Sequence, residues 1–282
     1  MTRLFGVIGH PVTHSLSPVM HTAAFRALRL DALYAPFDVP PRVLTPILRA
    51  LILAGVEGMS VTVPLKERVV PLMDRLEGSA RAIGAVNTIV VRRRRLIGYN
   101  TDGPGVVPAL RELGWRAGPT RAVVLGAGGA ARAVAWELMR APGSVVTIAN
   151  RRVARGRRLA RWLSRACPRS RAHARALREV TLAEVELLVN ATTVGMQAQD
   201  GLLIDPTGLH RGLLVYDLVY HRQTALVEAA RRRGCVAANG VSMLLYQGAE
   251  ALRLWLGRTP SVEVMRRALE RALQQQSIWT MD

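Results

Sequence analysis

Lysine is nearly missing from this chain. Of its 39 basic side chains only Lys66 is lysine, and the rest are arginine. Cysteine is as scarce. Cys167 and Cys235 stand far apart with no metal or redox spacing, which excludes a disulfide framework and a zinc motif, so both thiols are expected to be inert and no metal site is anticipated. Aromatic residues are only 5% of the chain, and its densest basic stretch holds a single one, Trp162, with no interleaved pattern, which argues against a nucleic-acid partner despite a net charge of +19. No apolar run approaches the ~20 residues that a bilayer crossing needs, so no membrane partner is expected. The opening Met1–Gly9 reads as a short strand and not as a signal peptide. Together these absences point to a cytoplasmic α/β protein with room for one large or two ordinary domains. Its arginines, densest from Arg151 to Arg178, suit small anionic ligands.

The lone lysine is the first positive signal. A guanidinium stays charged in any protein, whereas a lysine ammonium can give up its proton under the influence of its surroundings. Lys66 follows the strand pattern Gly58-Met-Ser-Val-Thr-Val63 and Pro64. It therefore falls at a strand's carboxyl end, where open α/β sheets place ligands. Asp102, in Asn100-Thr-Asp-Gly103, reads either as a helix cap or as the carboxylate partner of Lys66. Earlier, the loop His10-Pro-Val-Thr-His-Ser15-Leu-Ser17-Pro18 sets two serines before a helix that runs to about Leu28. Ser17 suits the cap, Pro18 the first turn, and the pair an anion site. Strands are expected at Phe5–Gly9 and Leu33–Val39, a helix from Glu67 to Leu76, and a hairpin through Ala85–Val91 and Leu96–Gly98. Asparagine is also scarce. Its five copies, Asn87, Asn100, Asn150, Asn190 and Asn239, all fall at expected strand ends or adjoining loops, which face the ligand crevice in such a sheet.

The second half alternates strand and helix from 121 to 240, the pattern of a doubly wound parallel sheet. Its first turn, Gly126-Ala127-Gly128-Gly129-Ala130-Ala131, has a strand before it and a helix after it, as a dinucleotide site requires. Glycines there let the backbone approach a pyrophosphate at the helix N-terminus. The next strand ends in Asn150-Arg151-Arg152 with Arg155 one turn on. An NAD site usually carries an acid there, whereas guanidinium groups suit a 2′-phosphate, so NADP is the expected cofactor. Gln247 sits mid-helix among apolar residues and needs a hydrogen-bond partner if buried.

Taken in order, Ser15-Leu-Ser17-Pro18 with His21, Val61-Thr62-Val-Pro64-Leu-Lys66, Gly84-Ala-Val-Asn87-Thr88, Asn100-Thr-Asp102-Gly103, the glycine turn, Asn150-Arg151 with Arg155, Asn190-Ala-Thr with Gly195-Met196, and Gly240 with Met243 and Gln247-Gly248-Ala249 resemble the shikimate dehydrogenase family over about residues 6 to 260. The resemblance implies an N-terminal α/β substrate domain over 1–104, a Rossmann-like NADP domain over 105–240, and C-terminal helices over 241–282 that return to the first domain. It implies NADPH-dependent reduction of 3-dehydroshikimate to shikimate, in aromatic amino-acid biosynthesis, by a monomer or homodimer. Lys66 and Asp102 would be catalytic. Ser15 and Ser17 would hold the substrate carboxylate, and Thr62, Asn87 and Gln247 its hydroxyls. Tyr220 would lie near the nicotinamide end. Gly126 to Ala130, Asn150, Arg151, Arg155, Gly240 and Met243 would serve the cofactor.

The chain departs from the family's usual pattern at Thr22 and Ser60, where asparagine is usual, at Arg152, and at Arg222. Two alternatives stand beside this reading: a quinate/shikimate dehydrogenase with relaxed substrate or cofactor choice, and a non-catalytic nucleic-acid-binding regulator of the same fold.

Overall fold

The computed structural model describes residues 2–279. The chain divides into two compact units, Met1–Gly105 with Leu244–Asp282, and Val106–Met243.

The first unit opens with β1 (Arg3–Gly9), α1 (Ser17–Ala27), β2 (Ala32–Asp38), α2 (Leu44–Leu53) and β3 (Val56–Val61), and continues with β4 (Arg75–Leu76), α3 (Ser79–Ile83), β5 (Thr88–Arg92), β6 (Arg95–Tyr99) and the start of α4 (Asp102–Glu112). Its sheet has the order β2-β1-β3-β5-β6-β4. The first three strands are parallel, and β5 and β6 form an antiparallel hairpin. Arg93 and Arg94 turn that hairpin with φ of 50° and 62°, the positive values that a tight two-residue β-turn needs. The core on one side gathers Ile8, Met59, Val61, Leu65 and Ile89.

One expected helix does not form. Residues 67–76 make isolated turns, a 3-10 turn at Val70–Leu72 and the short strand β4. Pro71 is the physical reason, because a proline in a helix interior lacks an N–H and clashes with the preceding turn. The hydrogen bonds that do form, Val69 N–H to Leu65 and Leu72 N–H to Val69, close single turns only.

The second unit runs β7 (Arg121–Leu125), α5 (Gly129–Met139), β8 (Val145–Ala149), α6 (Val153–Ala166), β9 (Arg171–Arg175), β10 (Leu187–Asn190), β11 (Leu214–Asp217), α7 (Ala225–Arg232) and β12 (Val236–Ala238). Its six strands are all parallel in the order β12-β11-β10-β7-β8-β9. The order reverses between β7 and β10, and that switch point is where such sheets hold ligands. β9 lay inside the arginine-dense stretch and has no apolar strand pattern, since its only uncharged side chains besides His173 are two alanines.

α8 (Val241–Leu256) and α9 (Val262–Trp279) close the chain. In the first unit Trp255 of α8 packs on Phe5 at 5.4 Å and donates from Nε1 to the Ile89 carbonyl at 3.0 Å. A Cβ at Gly58 would lie 2.4 Å from that indole, so the sheet must be bare there. Among the described residues, no helix is long and apolar enough to cross a membrane, and no group of three His, Cys, Asp or Glu could hold a metal ion.

Candidate active site

In the first unit the turn after β3 and the start of α4 converge on one ion pair. Lys66 Nζ donates to Asp102 Oδ2 at 2.5 Å, and the two side chains are only 14% and 4% exposed. The backbone fixes the lysine: Leu65 N–H bonds the Thr62 carbonyl at 2.9 Å, and Val86 N–H bonds the carbonyl of Lys66 itself at 2.8 Å. Asp102 is the first residue of α4 and not its cap. Its N–H donates to Asn100 Oδ1 at 3.1 Å, and Asn100 Nδ2 donates to the Ala85 carbonyl at 3.0 Å. Asn100 thus ties the helix start to the loop before β5.

Asn87 is the hub of the cluster. Its Nδ2 lies 2.9 Å from Asp102 Oδ1, 2.9 Å from Thr101 Oγ1 and 3.3 Å from Gln247 Oε1. Its Oδ1 accepts the Thr101 N–H at 2.7 Å and the Thr88 hydroxyl at 3.1 Å. An amide has two hydrogens, and three oxygens compete for them here. Gln247 Oε1 has the longest contact and is the acceptor most easily given over to a ligand hydroxyl. Its Nε2 is engaged by the Leu244 carbonyl at 2.9 Å. Lys66, Asp102, Asn87 and Gln247 are therefore one bonded group, and Asn100, Thr101 and Thr88 belong to it too. Asn100 was among the asparagines expected to face the crevice, whereas Thr101 and Thr88 were visible in the sequence only as neighbours of better candidates.

Gly105 sets the distance between α4 and α8. A Cβ there would come within 2.7 Å of Gln247 Cβ and 2.8 Å of its backbone nitrogen. Gly105→Ala should therefore displace Gln247 and lower kcat/KM for the substrate. On the scale of roughly 100-fold for a 1 Å misplacement, steady-state kinetics resolves the effect easily.

Ser15 and Ser17 lie at the start of α1. The expected cap at Ser17 is corrected here: Leu16 holds the N-cap position, no side chain caps the helix, and Ser17 is already helical. Its N–H instead approaches Ser15 Oγ at 3.3 Å. Ser17 is buried, whereas Ser15 and Thr62 are half-buried. Among the described residues none of the three hydrogen-bonds to the Lys66 cluster.

The second unit carries the nucleotide turn. Gly126 has φ +110°, and a Cβ there would meet the Ala191 carbonyl oxygen at 2.9 Å. Only glycine fits between the ends of β7 and β10. Around Gly128 the space is open, with nothing within 4 Å of an added Cβ. Gly128 is the N-cap of α5, and no side chain occupies that helix start. Bare first-turn N–H groups facing open space suit a phosphate, and Ala127, Gly129 and Ala130 complete the turn. After β8, Asn150 Nδ2 donates to the Arg152 carbonyl at 2.9 Å, which holds the Asn150–Arg152 turn in shape. Arg151, Arg152 and Arg155 are all exposed. The chain's own residues thus fit a phosphorylated dinucleotide.

Elsewhere in that unit, Gly240 packs so tightly that a Cβ would lie 2.3 Å from the Leu218 carbonyl oxygen. Met243 N–H donates to Tyr216 Oη at 3.0 Å. Tyr216 is fully buried, and burial pushes its phenol up to about 12, so it stays neutral. Tyr220 is half-buried on the segment after β11, with its ring edge-on to His221 at 5.8 Å. Beside it lies a buried network of which sequence reading had singled out Asn190 alone. Asp217 accepts from Thr224 Oγ1 at 2.7 Å, Asn190 Nδ2 at 2.9 Å and the Val219 N–H at 3.0 Å. Burial pushes the Asp217 carboxyl above its usual pKa, toward the neutral form, and those three donors oppose it.

Two family models match the chain: the shikimate dehydrogenase substrate binding domain over residues 7–89, and the shikimate 5′-dehydrogenase C-terminal domain over residues 240–270. A shikimate dehydrogenase (NADP(+)) from Rubrobacter xylanophilus is 48% identical, with 95% of each chain covered. A crystal structure of a shikimate dehydrogenase in complex with NADP+ superposes with a TM-score of 0.90 at 37% identity, covering 96% of each chain. The Thermus thermophilus shikimate 5-dehydrogenase, solved in complex with NADP(H) and shikimate, gives 0.86 at 38% identity, covering 96% of this chain and all of that one. The chain belongs to the shikimate dehydrogenase family.

The places where the chain departs from the family's usual residues now have surroundings. Ser60, on β3 two residues before Thr62, accepts the Tyr34 hydroxyl at 2.8 Å in a buried contact. Thr22 is half-buried on α1, beside fully buried His21. Arg152 contributes the carbonyl that Asn150 holds. Arg222 lies in the Tyr220–Thr224 segment; the Gln197 and Gly195 N–H groups hold the Asp200 carboxyl below its usual pKa, and the Arg222 charge adds to that effect.

Proposed function

We propose that this protein is an NADP-dependent shikimate dehydrogenase that reversibly reduces 3-dehydroshikimate to shikimate, with Lys66 and Asp102 managing the proton. The observation that carries the reading is the buried Lys66–Asp102 pair bonded through Asn87 to Gln247. Bound NADPH supplies the hydride; the rest falls to the chain's side chains. Reduction of a ketone builds negative charge on its oxygen. The Lys66 ammonium has three donors, one of them held by Asp102, and the others are available to stabilise that oxygen and deliver a proton to it. Asp102 fixes the ammonium in position, and Asn87 holds the far oxygen of the carboxylate. Gln247 Oε1 and the Thr62 hydroxyl receive the substrate's hydroxyls. Ser15 Oγ accepts from a backbone N–H, which leaves its own proton for the substrate carboxylate, and Ser17 joins it. Tyr220 serves the same end of the substrate. Gly126 to Ala130, Gly240 and Met243 hold the cofactor's pyrophosphate and nicotinamide portions. Asn150, Arg151 and Arg155 hold its adenosine 2′-phosphate.

The test is a comparison of initial rates with shikimate and quinate, each with NADP and NAD. Shikimate with NADP should be preferred. Equal or faster oxidation of quinate would replace this reading with a quinate/shikimate dehydrogenase. Arg151→Ala should raise KM for NADP at least tenfold, since a charge-assisted bond contributes about 1.5–3 kcal/mol, and leave KM for NAD nearly unchanged. An equal rise for both cofactors would remove the 2′-phosphate role.

A further inference from the structure

From Leu138 to Arg178 the chain carries twelve arginines and no aspartate or glutamate. The structure gathers these residues on consecutive elements of the nucleotide unit. α6 buries Gly156, Leu159, Ala160 and Leu163 and leaves its arginines exposed. β9 follows as the edge strand of the sheet; Ala174 lies 3.6 Å from where a Cβ at Gly156 would sit, so β9 turns its alanines toward α6 and exposes Arg171, His173 and Arg175 on the opposite face, outside the α6 surface. Among the described residues, Arg157, Arg158, Arg161 and Arg165 have no carboxylate partner. The ion pair from Arg140 to Glu137 lies at the rim of this stretch.

The basic stretch carries one aromatic of its own, Trp162, and the fold sets a second beside it. Trp136 of α5 and Trp162 of α6 stack at 5.4 Å with a 28° tilt. The Arg132 guanidinium sits 4.9 Å from the Trp162 ring centre. Both tryptophans are half-buried. Trp162 is four residues after Arg158 and three before Arg165, so it shares their helix stripe.

We propose that the exposed face of α6 is a docking surface for single-stranded nucleic acid, independent of the dehydrogenase reading. Guanidinium groups without carboxylate partners match phosphates in charge and geometry, and an aromatic ledge among them gives bases a stacking surface. The same face lacks what a membrane anchor needs. The large exposed apolar side chains of the protein all lie outside residues 138–178, so no apolar group there would enter a bilayer. This departs from the expectation of no nucleic-acid partner, which rested on the lack of interleaved aromatics.

The experiment is fluorescence anisotropy with a labelled single-stranded RNA of about 20 nucleotides, titrated at 50 and 200 mM salt. With about five phosphates neutralised, affinity should fall roughly 100-fold between those salts. Arg158→Glu, Arg161→Glu and Arg165→Glu combined should weaken binding more than tenfold at the lower salt and leave kcat and both KM values unchanged. The same three positions changed to Gln should fall between wild type and the Glu triple, and provide the comparison if reversal disturbs folding. Arg26→Glu, Arg42→Glu and Arg49→Glu, an equal change of net charge on the other unit, should bind as wild type does. The proposal is overturned if RNA is not bound at 50 mM salt, if the two Glu triples weaken binding equally, or if the protein binds phosphatidylserine vesicles and not RNA.

Discussion

Lys66→Arg should leave shikimate binding close to normal and reduce kcat by about 10²–10⁴, the usual contribution of a positioned acid or base. The substitution keeps the positive charge and can keep a bond to Asp102, so electrostatic attraction and the local fold both survive. It removes the one basic side chain in the cluster that can release a proton, since a guanidinium does not deprotonate in a protein. The expected pattern is therefore a split, with KM changed by less than about threefold and kcat by orders of magnitude, the mark of an interaction made only in the transition state. Single-turnover measurements and the pH profile of kcat check it. An arginine variant that keeps wild-type kcat would remove the proton-transfer role. Asp102→Asn completes the argument: it keeps a hydrogen-bond acceptor and removes the negative charge that holds the ammonium. It should lower kcat as well, with a larger change in KM, because Asn87 then faces a neutral group in place of a carboxylate.

The position of Lys66 was legible because scarcity and local pattern agreed. It is the chain's one lysine, and it follows an apolar strand and a proline. The doubly wound sheet was legible for a similar reason: its strands other than β9, and its helices, carried their own period and their own stop. What stayed hidden depends on partners far apart in the chain. Tyr34 and Ser60 are 26 residues apart, and so are Trp136 and Trp162; no local period connects either pair. The expected helix over 67–76 failed at Pro71, where the apolar spacing outweighed a proline that ought to have vetoed it. Strand β9 was missed because tertiary pairing with β8 overrides a sequence made of arginine, alanine and histidine. The cap at Ser17 was off by one element of geometry, since the residue that looked like a cap was already inside the helix and Ser15 supplied the acceptor.

His21 carries the second large expected effect, on stability and not on turnover. It is completely buried on α1, and neither ring nitrogen has a hydrogen-bond partner. Its ring stacks on Tyr34 at 4.4 Å and packs near Trp255 at 5.2 Å and Phe25 at 6.3 Å. Burial without a partner disfavours the charged imidazolium and lowers its pKa from 6.5 to about 3. The sign follows from linkage. Above pH 6.5 the ring is neutral folded or unfolded, and His21 adds no pH dependence. Between 6.5 and about 3 the unfolded chain takes up a proton that the folded protein refuses, so stability falls as the pH falls. At 1.36 kcal/mol per unit, the loss from this one residue is about 3 kcal/mol by pH 4.5. Urea unfolding of wild type and His21→Phe across pH 7.5 to 4.5 isolates it, because Phe keeps the aromatic stack and cannot bind a proton. The variant should lose much less stability on acidification, and the gap between the two curves should open only below pH 6.5. Parallel curves would mean that the ring finds a proton acceptor or water in the folded state. The physical logic is the reverse of that at Lys66. There a basic side chain has a carboxylate partner at 2.5 Å, while beneath Tyr34 an imidazole has aromatic rings around it and is kept neutral by burial.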